Sequence, residues 1–288
     1  MTQRNRWVLS LTASCIALLS IACTTDLTAV REWSKTSLEA TQYSELVTTY
    51  ANTPQRLKRY DPKKSLEITE SWDAQIKLRQ NQAEALKTIL SAISDYMAAL
   101  AILSSASTVD YSKDVGALNA GIQNLNAGIS NETLGAVGSL VNAVLGTAAK
   151  AYQKRQVADI VERANGPLQT ILRGELRNII SQDFRGDLSN EKTSIGGYFK
   201  DKLRVKEGAP PTSAAARVAL EEWEELRLEE NAKRTEAVDA YLTVLDKVAV
   251  GHQKLYDNRN ELDAEKLIKD LFSLIVEIRK QIKILAAT

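Results

Sequence analysis

Residues 83–100 read AEALKTILSAISDYMAAL. Ala83, Leu86, Leu90, Ile93, Met97 and Leu100 step by three and four, so they fall along one face of a helix. Trp72 and Ile76 lie earlier in the same pattern, which predicts one long helix from about Lys64 to Ser105 with Pro62 at its entry. Outward from this stretch the chain keeps the same character. Asp26 to Tyr50 predicts a shorter helix that ends before Asn52-Thr53-Pro54. Asn131 to Ala164 predicts a helix closed by Asn165-Gly166-Pro167, and further helices are expected at about Leu168–Gln182 and Leu188–Val205. Pro210-Pro211 breaks the chain, and Thr212 or Ser213 can cap a helix that runs to about Tyr256. The first half of that helix, Glu221 to Arg234, is dense in charge and reads as a solvated face. Its second half places Tyr241, Leu245, Val248, His252 and Leu255 on a packed one. Leu267, Leu271, Leu274, Ile278 and Leu285 mark a C-terminal helix over about Leu262–Ala286. No alternating Val/Ile/Thr runs with hairpin turns occur, so the expected fold is all-α. It is an elongated bundle of long antiparallel helices with coiled-coil-like packing, forming one domain over residues 23–288. Persistent heptads would give it a left-handed supercoil.

Composition agrees with a folded helical body. The 288 residues are 44% hydrophobic, 25% charged and only 6% aromatic, with 13 Gly and 5 Pro. The 37 basic residues, less Arg4 and Arg6 in the first 22, leave 35 against 36 acidic residues in the rest of the chain. A body this close to neutral lacks the concentrated positive charge that phosphate backbones require, so nucleic acid is not an expected partner.

The N-terminus carries an address. Arg4 and Arg6 precede an uncharged, mostly apolar run from Trp7 to Ile21, which is short for a membrane span and right for a secretory signal. Leu19-Ser20-Ile21-Ala22-Cys23 then resembles the lipobox of bacterial lipoproteins, with Ser20 standing where Leu is usual. The resemblance implies cleavage between Ala22 and Cys23, removal of residues 1–22 as a signal peptide, and acylation of Cys23, with palmitate among the chains attached. Thr24 rather than Asp after the cysteine implies sorting to the outer membrane, facing the periplasm. Cys15 and Cys23 are the only cysteines, so such processing would leave a mature chain with no disulfide. The implied partners are the membrane, through the N-terminal lipid, and another envelope protein.

Between Val115 and Ala149 the only charged residue is Glu132. Leu118-Asn-Ala-Gly-Ile122 recurs as Leu125-Asn-Ala-Gly-Ile129, so Leu118, Ile122, Leu125 and Ile129 share one stripe. Gly135, Gly138 and Gly146 follow among Leu, Val and Ala, and small residues of this kind let helices approach closely. The segment reads first as bundle core. A hairpin that enters a membrane or a partner's groove is the alternative, since long helices with one apolar hairpin resemble helical pore-forming toxins of the cytolysin type.

Chemistry-bearing patterns are sparse. The single histidine, His252, sits on the apolar stripe of its helix and is expected to pack with a hydrogen-bonded ring nitrogen. No Glu-x-x-His pair, Cys/His zinc spacing, phosphate loop, dinucleotide fingerprint or nucleophile elbow occurs, so no catalytic, metal or cofactor residues are assigned. Glu221-Glu222 and Glu224-Glu225 read as solvated charges rather than a glycosidase pair. Arg56, Lys58, Arg59, Lys63 and Lys64 form a basic cluster that reads as a solvated turn, with anionic headgroups as its functional alternative. The function expected from these features is a non-enzymatic, lipid-anchored envelope scaffold that binds another protein.

Overall fold

The structure is a computed structural model, which describes residues 26–61, 66–105, 129–145, 153–204 and 213–287. It is all-α, and no strand occurs among these residues. The elements are α1 (Thr28–Thr41), α2 (Ser44–Ala51), α3 (Thr53–Tyr60), α4 (Leu66–Leu103), α5 (Asn131–Leu145), α6 (Gln153–Arg173) and α7 (Glu175–Asn178). A π-helical segment, Ile179–Phe184, leads into α8 (Arg185–Leu203), followed by α9 (Ala214–Asp257) and α10 (Glu265–Ala287).

Cross-helix partners give the directions. Thr41 meets Ser94 at 3.2 Å, Tyr50 meets Gln82 at 3.4 Å and Lys58 meets Asp73 at 2.7 Å. Partner numbers fall as the chain advances, so α1–α3 run antiparallel to α4. In the same way Asn165 meets Gln253 and Gln169 meets the Ala249 carbonyl, which sets α6 antiparallel to α9. Lys247–Glu277 and Lys254–Asp270 pair α9 with α10 in the antiparallel sense. A continuous cluster of buried apolar side chains from Leu27 to Leu285 joins these pairs.

Several helix boundaries depart from the sequence expectation, among them Asn131–Ala164, which is divided between α5 and α6, two helices packed on each other. Asp26–Tyr50 is not one helix. Thr41 Oγ1 turns back to the Ser37 and Leu38 carbonyls and bonds Ser94 on α4, and the chain turns at Gln42-Tyr43. That turn re-aims α2 so that Leu46 and Tyr50 become buried. Pro54, expected to terminate a helix, sits in the first turn of α3, where a missing N–H removes nothing. Asn165-Gly166-Pro167 does not stop α6, which runs on to Arg173 with Pro167 inside it. An interior proline costs about 3 kcal/mol. It is offset here by the buried stripe Val157, Ile160, Val161, Ala164, Leu168, Ile171 and Leu172 and by the bonds from Asn165 and Gln169 to α9. The break comes at Gly174, where a Cβ would lie 2.3 Å from the Thr170 carbonyl oxygen.

The low-charge segment is half described. In α5, Thr133, Ala136, Val137, Leu140, Val141, Ala143 and Val144 are buried, as a core helix requires. Ser130 caps it by accepting from the Thr133 N–H, and its own N–H and hydroxyl donate to Glu175. Gly135 and Gly138 are not there for close approach, because a Cβ at either would meet nothing within 4 Å. Leu118, Ile122, Leu125 and Gly146 lie outside the described residues, while Ile129 packs partly buried against the core. α4 is long and apolar enough to cross a membrane, and most of that apolar stretch is buried inside the bundle.

The longest helix, α9, has 44 residues and spans about 66 Å. Ser213 caps it, its hydroxyl accepting from the Ala216 N–H at 3.2 Å. Its two halves differ. From Asn231 onward it is core, with Tyr241, Leu245, Val248, His252 and Leu255 fully buried as the spacing predicts. From Ala214 to Glu230 no residue is buried.

Candidate functional site

His252 occupies the centre of the bundle and is fully buried. Its Nε2 lies 2.6 Å from the Tyr96 hydroxyl and its Nδ1 2.9 Å from Asn165 Oδ1. Asn165 donates its own amide to Gln253, so its oxygen is the acceptor and His252 Nδ1 carries the proton. Tyr96 then donates to the bare Nε2. Gln253 passes the chain on to Asp257 at the surface. Burial pushes His252 down to about 3 and Tyr96 above its ordinary value, so both stay neutral. Trp33 packs nearby with its ring centroid 6.4 Å from the imidazole, and it fits because residue 251 is glycine. A Cβ on Gly251 would fall 2.3 Å from the indole nitrogen. These groups tie α1, α4, α6 and α9 together, and both ring nitrogens of His252 are already committed.

A second polar layer sits where α3, α8 and α9 meet. Glu191 is 1% exposed, and its two oxygens accept from Arg56 Nε at 2.9 and 3.0 Å. Arg234 donates to the same carboxylate at 2.9 Å. Arg56 also reaches the Thr49 carbonyl and the Thr53 hydroxyl, and burial lowers its pKa. Beside this cluster Arg79 donates to Tyr50, to Gln82 and, at 2.6 Å, to Asp187. Burial raises Asp187 against the opposing pull of Arg79. Such networks fix how helices register, and they offer little net stability over an apolar core.

The basic cluster read from the sequence is therefore dispersed. Arg56 is held by Glu191, Lys58 pairs with Asp73, and Arg59 lines a groove. Lys63 and Lys64 lie outside the described residues, as do Ala22 and Cys23. Glu221, Glu222 and Glu225 are exposed on the first half of α9, in keeping with a solvated face. Among the described residues no group of three or more His, Cys, Asp or Glu is placed to hold a metal ion.

Two surface features remain. The first is a groove of about 640 Å³ formed by the end of α3, the early part of α4 and the late part of α8. Tyr60, Trp72 and Tyr198 line it, with Arg59, Asp61, Asp201 and Lys202 around them. Trp72 Nε1 donates to Asp61 at 2.8 Å, which holds the indole in place. Tyr60 and Tyr198 meet edge to face at 5.8 Å, and Lys202 Nζ lies 5.4 Å from the Tyr198 ring. Burial raises the Tyr60 phenol, partly countered by Arg227. Gly197 also lines the groove, next to Gly196 in the middle of α8. Glycine inside a helix costs about 1 kcal/mol relative to alanine, and a Cβ at either position would meet nothing within 4 Å. No packing in the described fold requires these glycines. The sequence reading missed this groove because its residues come from three separate helices. The Gly-Gly pair inside a helical stretch was the one local sign of it.

The second feature is the first half of α9. Val218, Trp223 and Leu226 are 52%, 61% and 47% exposed. Trp223 and Leu226 share a face at three-residue spacing, amid the glutamates.

The fold and site define an all-α helical bundle with structural polar centres, a surface groove and an exposed apolar face. The chain matches no protein-family model, no curated protein and no solved structure.

Proposed function

We propose that this protein is a lipid-anchored envelope scaffold that binds another protein and carries out no catalysis. The observation that carries the reading is the exposed face of the first half of α9. It presents an exposed tryptophan with Val218 and Leu226 on the side of the helix that the bundle leaves uncovered. Large aromatics exposed within a polar surround are characteristic of protein-binding surfaces. The lipobox-like Leu19–Cys23 supplies the address: cleavage after Ala22, acylation of Cys23 and an outer-membrane position facing the periplasm. His252, the one histidine, is committed on both ring nitrogens.

Two measurements test this. Labelled fatty acid should enter the full-length chain and disappear with Cys23→Ala, together with the membrane-bound fraction. A photo-crosslinker at position 223 should capture an envelope protein in the intact cell, and one at exposed Lys87 on α4 should not. Absence of label, or no crosslink from position 223, would overturn the corresponding half of the reading. The alternative, a membrane-active protein using residues 115–149, requires α5 to leave the core in which its apolar side is buried. Dye release from liposomes by the acylated chain would favour it.

A further inference from the structure

We propose that the groove between α3, α4 and α8 binds a glycan, with sugar rings laid against its aromatic side chains. In a chain that is 6% aromatic, Tyr60, Trp72 and Tyr198 converge from three helices on one surface depression. Trp72 and Tyr60 offer apolar ring surface of the kind that suits the C–H faces of sugar rings, with the Tyr198 ring set between Tyr60 and Lys202. The surrounding groups suit the hydroxyls. Arg59 and Lys202 are donors, Asp61 and Asp201 are acceptors, and the two signs balance, so the groove has no bias toward an ion. Its volume of about 640 Å³ lies within the range of small-ligand sites. An apolar helix-docking groove would need a continuous hydrophobic floor, and here charged groups interrupt it.

Gly197 lies on the groove wall and gives the proposal a direct handle. A Cβ there would meet nothing within 4 Å, and a longer side chain would project from the groove wall. The neighbouring Gly196 does not line the groove, which provides an internal control. The inference rests on the envelope reading only for the source of the glycan, the amino-sugar chains of a cell wall. The groove chemistry stands without it.

The test uses tetra-N-acetylglucosamine as the probe, titrated calorimetrically into the full-length chain in detergent. Binding by the parent is expected, weakened at least about tenfold (about 1.4 kcal/mol) by Gly197→Leu. Gly196→Ala should bind as the parent does, and both variants should keep or raise Tm, because a Cβ at either position meets nothing within 4 Å and each replaces glycine by a better helix former. No binding by the parent, or equal binding by Gly197→Leu, overturns the proposal. So does loss of binding in Gly196→Ala with an unchanged Tm, since that residue lies outside the groove. Acylation of Cys23 is read separately, so a failure of the glycan site and a failure of the envelope address are distinguishable.

Discussion

The two halves of α9 are one uninterrupted helix with opposite surroundings. From Asn231 to Asp257 it is the central strut, contacting α1, α6 and α10 through fully buried Tyr241, Val244, Leu245, Val248 and His252. From Ala214 to Glu230 it carries Trp223 and Leu226 into solvent. The capping serine and a run of Ala, Leu, Glu and Arg start the helix in its first half, and the second half continues it without a break. Burial needs neighbours, and only the second half has them on several sides. The same helix thus provides stability at one end and an available surface at the other.

Substitutions at the two ends should separate these roles. Trp33→Ala empties the space between α1 and Gly251 and should cost about 3–5 kcal/mol, read as a lower urea midpoint by far-ultraviolet dichroism. A cost below about 1 kcal/mol would mean that the core closes around the hole. Glu191→Ala, at the junction of the halves, leaves Arg56 and Arg234 facing each other without their shared carboxylate. It should cost about 3 kcal/mol in the same assay. Gly251→Ala is a gain of one methyl, but it places that methyl against the Trp33 ring. Thermal unfolding should show a loss of about 1–3 kcal/mol.

The pH dependence sharpens the contrast further. His252 is the only histidine, and burial holds its folded-state pKa near 3, below the unfolded value of about 6.5. Below about pH 6.5 the unfolded chain therefore binds a proton that the folded chain does not. Stability should fall with pH across that window, approaching about 1.4 kcal/mol per pH unit as the unfolded histidine becomes fully charged. Urea midpoints at a series of pH values between about 6.5 and 5 should show this slope, and His252→Gln should flatten it. Equal slopes in both proteins would mean that another group titrates. At the other end, Trp223→Ala should leave stability within about 0.5 kcal/mol of the parent, since the side chain is 61% exposed. A large loss there would show that the face is covered within the molecule.

Much of the fold was legible because helix periodicity is local. The three-and-four steps of Ala83 to Leu100 and of Tyr241 to Leu255 marked faces that are buried, and the charge density of Glu221 to Arg234 marked one that is not. The boundaries were less legible. Pro167 looked like a stop and Gly174 like an ordinary residue, yet the helix passes the first and breaks at the second. Contacts from Asn165 and Gln169 to a helix some eighty residues away decide the matter, and no local pattern carries them. Of the features that could recognise a ligand, the charged half of α9 was visible but its exposed tryptophan was not singled out. The groove was invisible, because neither Tyr60, Trp72 nor Tyr198 is unusual in its own helix.

By itself the sequence determined the helical class, the buried faces, and the placement of the lone histidine on one of them. These depend on residue type and short-range spacing, which a chain carries wherever it folds. Only the tertiary structure decided where α6 breaks, which carboxylate two arginines share, and which aromatics meet in a groove. Those outcomes depend on which helices become neighbours and in what register, and that is settled by packing among side chains far apart in the chain.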